Sequence, residues 1–150
     1  MIIVSACLLG ENCKYSGGNN KSEKVLKYLK DKEYIAVCPE QLGGLTTPRD
    51  PSEIETYGNK DGKDVLNGVT KVVSNKGIDV TSNFIKGAEE ALKIAKENNA
   101  AEAVLKASSP SCGCRYIYDG TFSKKKIKGM GVTASILAQN NIKIIDEEQI

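Results

Sequence analysis

Short runs of β-branched residues alternate along the chain with stripes of apolar residues at helical spacing. The runs predict strands at residues 2–6, 34–37, 103–106 and 142–145. Apolar residues three and four apart predict helices over 22–32, 81–98 and 132–140, the first capped by Ser22 and the second by Thr81 or Ser82. Strands that alternate with helices imply βαβ units. The pattern therefore predicts an α/β fold with a mostly parallel, Rossmann-like sheet of about four strands flanked by helices.

Two stretches depart from this alternation. Residues 40–80 hold most of the Gly and Pro of the middle of the chain, and only 65–66 and 69–73 there predict short strands. Residues 116–122 contain an Asp119–Gly120 turn and predict a hairpin. Neither stretch indicates a second domain, so we expect residues 1–150 to form one domain.

Charge gives little indication of a macromolecular partner. The 150 residues carry 21 basic and 19 acidic side chains, a net charge of +2, which gives no global case for nucleic-acid binding. The one basic run is Lys124–Lys126 with Lys128. A solvated loop explains this run most simply, and a phosphate or RNA contact near an active site is the alternative.

The ends and apolar runs of the chain predict a cytoplasmic protein. Met1 is followed directly by a strand pattern, without the basic segment of a signal peptide, and no apolar run approaches the roughly 18 residues of a membrane span. Five cysteines in such a protein are metal ligands or reactive thiols more often than disulfides. The absence of histidine excludes Ser-His and Cys-His catalysis and every His-containing zinc site.

Three of the cysteines stand at equivalent places in the predicted sheet. Cys7 and Cys38 end the first two strands, and Cys112 follows the third by a few residues. Parallel strands end on the same edge of a sheet, about 4.8 Å from neighbour to neighbour, and ligands bind beyond that edge. The three thiols are therefore predicted to converge on one metal centre.

The kind of metal stays open at this point. Cys13 and Cys114 are further thiols, and four thiolates would make a closed zinc site. Thiolates without histidine also suit an iron–sulfur cluster. Glu40 lies two residues after Cys38, at the same predicted edge, and is a candidate for acid–base chemistry beside the metal.

Eight segments together resemble a bacterial and archaeal family, the thiouracil desulfidases. These are SACLLG at 5–10, CKYSGG at 13–18, CPEQLGGL at 38–45, TPRDPSE at 47–53, DVTSNFIKGAEEAL at 79–92, LKASSPSCG at 105–113, IYDGTF at 117–122 and GMGV at 129–132. The resemblance covers nearly the whole chain, as a single-domain member. Ser16 stands where an Asp is usual, and Cys114 stands where the family usually has another residue, so Cys114 looks peripheral.

The resemblance implies a [4Fe–4S] cluster held by Cys7, Cys38 and Cys112, with Cys13 the less favoured alternative ligand. It implies that the fourth iron is open and binds a thiocarbonyl sulfur, while Glu40 activates water. The C=S bond is then replaced by C=O and hydrosulfide leaves without net electron transfer. The remaining expected site residues are Ser109 and Ser111 as catalytic hydroxyls and Lys106, Arg49 and Ser108 as substrate-binding groups.

The expected substrate is a small thionucleobase or thionucleoside, and thiolated RNA is the less favoured partner. Two other functions compete with the desulfidase. One is a structural or binding module in which four cysteines ligate zinc, and the other is a sulfur carrier or redox protein that uses cysteine persulfides. The oligomeric state is not readable from this sequence.

Overall fold

The computed structural model describes all residues, Met1–Ile150. The strands and helices follow in chain order. The strands are β1 (Ile2–Ser5), β2 (Tyr34–Val37), β3 (Ser52–Ile54), β4 (Val72–Ser74), β5 (Glu102–Leu105), β6 (Tyr116–Tyr118), β7 (Lys126–Lys128) and β8 (Lys143–Asp146). The helices are α1 (Glu23–Leu29), α2 (Pro39–Leu42), α3 (Gly62–Leu66), α4 (Thr81–Glu97) and α5 (Val132–Gln139), and short 3-10 turns cover Ala6–Leu9 and Glu147–Gln149.

The predicted parallel sheet is confirmed. Four strands lie in the order β2-β1-β5-β8 and every pair is parallel. Ile3 and Leu105 face a core that α4 and α5 cover, and Val4 and Val104 face a smaller core closed by α1. Alternate residues of one strand point to opposite faces, so burial on both faces explains why these strands read as continuous apolar runs.

The prediction was wrong in the middle of the chain and at several element ends. Val65 and Leu66 lie in α3, not in a strand, because Asp61 and Asp64 form a capping box that starts a helix there. Short β3 and β4 pair antiparallel, and only β4 overlaps a predicted strand. The helix α1 ends earlier than predicted, and β6 and β7 flank a loop at 119–125 instead of a tight turn.

Helix α4 also begins differently from the prediction. Thr81 is its first residue, not its cap, and the Thr81 amide donates to the Asp79 side chain at 2.9 Å. An aspartate two residues before the helix thus takes the role that the sequence assigned to Thr81 or Ser82. No helix combines the length and apolar character needed to cross a membrane.

Two packing features fix the loops at the carboxyl edge of the sheet. Helix α2 lies directly on α4, where a Cβ on Gly87 would meet the Pro39 carbonyl oxygen at 1.9 Å, so only glycine permits this approach. At the start of α5, the amides of Val132 and Thr133 donate to the carbonyls of Pro110 and Ser111, each at 2.9 Å. The segments that carry Cys38 and Cys112 are therefore held by helices.

Candidate metal and active site

A cavity of about 540 Å³ opens at the carboxyl edge of the sheet. Its floor is made by the residues that leave β1, β2 and β5, and its rim includes the β6–β7 hairpin. The lining includes four of the five cysteines, namely Cys7, Cys13, Cys38 and Cys112. The sheet topology has thus brought together thiols from the three segments that follow β1, β2 and β5.

Each of the three cysteines at the strand ends is held by a defined turn. Cys7 lies in the 3-10 turn after β1, and Cys38 is the N-cap residue of α2. Cys112 follows β5 in a turn where its amide donates to Ser109 Oγ at 3.0 Å. Cys112 is buried, whereas Cys7 and Cys38 are half-buried. Backbone geometry, not a flexible loop, therefore sets where these sulfurs stand.

Cys13 occupies a central place among the thiols. Contacts of its thiol with Cys38 and Cys7 lower the pKa of Cys38 to about 6 and also lower the pKa of Cys7. The same two contacts raise the pKa of Cys13 itself. Burial raises the pKa of Cys112 to about 12. The pKa of Cys38 therefore lies below the ordinary thiol range, which favours the thiolate, the form that binds metals.

Glu40 and Arg49 form an ion pair beside these thiols. Arg49 Nε lies 3.0 Å from Glu40 Oε1, and the two side chains are only 8% and 20% exposed. The other guanidinium nitrogens donate to the Cys13 carbonyl at 2.9 Å and to Thr47 Oγ1 at 2.8 Å. Arg49 thus ties the Glu40 carboxylate to the loop that carries Cys13, at one wall of the cavity.

The segment after β5 supplies a further wall of the cavity. Lys106, Ser108 and Ser109 line the cavity, and the Lys106 ammonium lies 2.9 Å from Glu147. Ser109 Oγ accepts from the amides of Ser111 and Cys112 at 3.1 and 3.0 Å, so its own hydrogen is free to donate.

Ser111 does not join this wall, contrary to its expected catalytic place. It is 1% exposed, and its hydroxyl lies 2.8 Å from Thr133 Oγ1 under the N-terminus of α5. Ser111 and Cys112 are neighbours in a tight turn. Cys112 lines the cavity, whereas the Ser111 hydroxyl points into the interior. The structure therefore leaves Ser109 as the hydroxyl of the pair that reaches the cavity.

Several residues of the cavity were missed from the sequence. They are Lys14, Tyr15, Glu53, Tyr118, Phe122 and Glu148, and Lys124 and Lys126 of the basic run lie with them. Glu53 stands in TPRDPSE and Phe122 in IYDGTF, so the motifs themselves were the available signal. Glu53 lies in β3 and Phe122 in the β6–β7 loop, so their place at the cavity depends on how these two elements pack.

Cys114 lies apart from the other thiols. It does not line the cavity, and its sulfur is 3.6 Å from Asp146 Oδ2 and 3.8 Å from Gln149 Oε1. Burial and the neighbouring carboxylate raise its pKa to about 12. This cysteine is therefore part of the interior packing beside β8.

The donor set fits an iron–sulfur cluster. Thiolates without histidine are the usual cluster ligands, and the thiols surround a cavity with room for a bulky inorganic core. Cys7, Cys13, Cys38 and Cys112 all line that space, so any three of them are available as ligands.

Comparison with known proteins agrees with this arrangement. The family model for 2-thiouracil desulfurase matches residues 2–149. The chain is 49% identical over 150 residues to the uncharacterized protein YbbK of Bacillus subtilis (strain 168), covering all of this chain and 97% of that one. It also superimposes on the structure of the [4Fe–4S]-dependent thiouracil desulfidase TudS with a TM-score of 0.84 and 38% identity, covering 99% of this chain and 91% of that chain. The chain belongs to the 2-thiouracil desulfurase family.

Proposed function

We propose that the protein is a [4Fe–4S]-dependent desulfidase that hydrolyses the C=S bond of a thiolated pyrimidine such as thiouracil. The observation that carries the proposal is the convergence of Cys7, Cys38 and Cys112 on one cavity that also holds Glu40. Family membership and the likeness to a [4Fe–4S]-dependent thiouracil desulfidase support the same chemistry.

Three thiols would hold the cluster, those of Cys7, Cys38 and Cys112, with Cys13 as the alternative ligand. When bound, the cluster supplies a soft Lewis-acidic iron suited to a thiocarbonyl sulfur. The lowered pKa of Cys38, about 6, favours loading at neutral pH because the ligand is already deprotonated.

Glu40 is the proposed general base. It accepts a proton from the water whose oxygen replaces the substrate sulfur, and Arg49 holds the carboxylate in place through the 3.0 Å ion pair. The balance is water plus C=S giving C=O plus hydrogen sulfide, which ionises to hydrosulfide. No electrons are gained or lost, so the residues need only bind, orient and move protons.

The segment after β5 is the proposed substrate-binding wall. Ser109 donates its free hydroxyl hydrogen to a ring nitrogen or oxygen of the pyrimidine. Lys106 and Ser108 bind the polar edge of the base from the same wall. The proposal assigns no such role to Ser111, whose hydroxyl lies 2.8 Å from Thr133 Oγ1.

The proposal is tested by purifying the protein without oxygen and adding 2-thiouracil. We expect a brown protein with an absorption band at about 400 nm, about four irons and equivalent acid-labile sulfide per chain, and uracil and sulfide formed in equal amounts. A colourless protein with one zinc and no turnover would instead establish the zinc module. Turnover by the iron-free protein would favour a persulfide mechanism.

The basic rim favours thiolated RNA as a second substrate class. Lys124 and Lys126 of the β6–β7 hairpin line the cavity, where phosphates of a polynucleotide would meet them. The test offers free 2- and 4-thiouracil and 4-thiouridine-containing tRNA side by side. A higher kcat/KM for the free bases supports the small-molecule substrate, and a higher value for the tRNA overturns it.

A further inference from the structure

Glu53 is a buried carboxylate at the cavity that the chemistry above does not use. It lies in the middle of β3, is 9% exposed and lines the cavity. Its Oε1 accepts from two backbone amides of the β6–β7 loop, Gly120 at 2.9 Å and Phe122 at 3.2 Å. One carboxylate oxygen thus connects the β6–β7 loop to β3.

The backbone of that loop needs such a fastening. Phe122 and Lys124 have φ values of 55° and 64°, in the left-handed region that bulky residues rarely adopt. Residues in such conformations persist where surrounding contacts over-determine them. The same loop carries Phe122 and Lys124 onto the cavity rim, so its conformation decides the shape of one wall.

A second contact brings the loop against β3. Gly120 has φ 93°, and a Cβ there would meet the Ile54 carbonyl oxygen at 2.6 Å. Thr56 also donates its hydroxyl to the Asp119 carbonyl. Gly120 allows the loop to approach the β3 backbone closely. Glu53 then accepts the hydrogen bonds of the Gly120 and Phe122 amides.

We propose that Glu53 is a positioning residue for substrate binding, which acts by holding the β6–β7 loop as a wall of the cavity. The substrate part of this inference rests on the proposed desulfidase function. Without the carboxylate, two amides lose their acceptor, the loop leaves its left-handed conformation, and Phe122 no longer closes the cavity beside the substrate.

The experiment compares Glu53→Ala and Glu53→Gln with Glu55→Ala in the cluster-loaded protein. Glutamine retains an oxygen acceptor without the charge, and Glu55 is a carboxylate of the same segment that does not line the cavity. Amide hydrogen exchange at Gly120 and Phe122 reports the loop directly, and steady-state kinetics with 2-thiouracil report the site. We expect Glu53→Ala to raise both exchange rates and KM about tenfold, with kcat within about twofold. Glu53→Gln and Glu55→Ala should stay near wild type.

The outcomes separate this proposal from the proposed function. Unchanged exchange in Glu53→Ala would overturn it whatever the activity, and so would faster exchange with an unchanged KM. If Glu53→Ala and Glu53→Gln raise KM equally while the Gly120 and Phe122 amides stay protected from exchange, the charge acts on the substrate directly, which would also overturn the proposal. If wild-type protein turns over no thiouracil, the desulfidase proposal fails while the exchange data still decide whether Glu53 holds the loop.

Discussion

Two regions of this molecule use the same kinds of side chain to opposite effect. At the cavity, Cys38 lies near the Glu40–Arg49 ion pair, and beside β8, Cys114 lies near the Asp146–Arg115 ion pair. The pKa of Cys38 is lowered to about 6, whereas the pKa of Cys114 is raised to about 12. A thiol next to a carboxylate and an arginine is thus not enough to indicate a metal site.

The difference comes from the neighbours of each sulfur. The Cys13 side chain, the Gln41 backbone and Arg49 lower the pKa of Cys38 because they favour its thiolate form. Cys114 is desolvated and itself donates to Asp146, which stabilises the neutral thiol. Arg115, the arginine of the second pair, donates its hydrogen bonds to Asp146 and Glu148. The first region is therefore the proposed metal site, whereas the second stabilises the packing beside β8.

The strongest test of this comparison removes single cysteines. We expect alanine at Cys7, Cys38 or Cys112 to leave a protein without stable cluster, with iron falling from about four per chain to near zero. Cys114→Ala should keep its iron, because that sulfur lies outside the cavity. Iron content and the visible spectrum of anaerobically purified variants are the measurements. If Cys13→Ala loses its iron while one of the other three variants retains it, Cys13 is a cluster ligand in place of the cysteine changed in that variant.

Glu40→Gln separates catalysis from cluster binding. We expect kcat to fall about a hundredfold or more at unchanged iron content, since general-base catalysis contributes about 10²–10⁴. The matched control is Glu148→Gln, since Glu148 also lines the cavity but pairs with Arg115 instead of Arg49. Steady-state desulfuration of 2-thiouracil measures both. Equal activity of the Glu40 variant and wild type would remove Glu40 from the mechanism.

Asp146→Asn tests the structural character of the β8 region. Asp146 is 1% exposed, binds Arg115 at 2.9 and 3.0 Å and caps the C-terminal 3-10 turn. We expect the free energy of unfolding to fall by about 2 kcal/mol, from the loss of charge-assisted hydrogen bonds at a buried site. Asp50→Asn breaks an exposed pair with Lys76 and should cost no more than about 0.5 kcal/mol. Urea unfolding measures the free energy of unfolding of both variants. Similar losses in the two variants would contradict a structural role for Asp146.

Cys13→Ala should raise the pKa of Cys38 in the metal-free protein. The thiolate is the reactive form, and Cys38 now holds it above a pH of about 6. Without the Cys13 donor its pKa moves toward the ordinary thiol value, so alkylation of Cys38 at pH 7 should slow about tenfold. Iodoacetamide rates against pH, resolved by peptide mass spectrometry, measure the shift, and Cys114 should stay unmodified throughout. An unchanged pH profile would show that Cys13 does not set this pKa.

Periodicity predicted most of the central sheet. The strands near Ile2–Ser5, Tyr34–Val37, Glu102–Leu105 and Lys143–Asp146 were found because burial on both faces leaves an uninterrupted apolar run. From the order of these strands, the parallel-sheet rule predicts that Cys7, Cys38 and Cys112 lie at one edge of the sheet. The 40–80 segment was mostly missed, since α2, α3 and β3 span only a few residues each and carry too few apolar positions for a period.

The sequence by itself determined the parallel sheet, the thiol-rich edge and the resemblance to a desulfidase family, because these depend on local pattern and on residue type. Tertiary structure alone decided that Ser111 points to Thr133 while Ser109 faces the cavity. It also decided that Glu53 reaches the hairpin loop 67 and 69 positions further along the chain. Such choices depend on which backbone groups a distant segment leaves without a partner, and no local pattern encodes that.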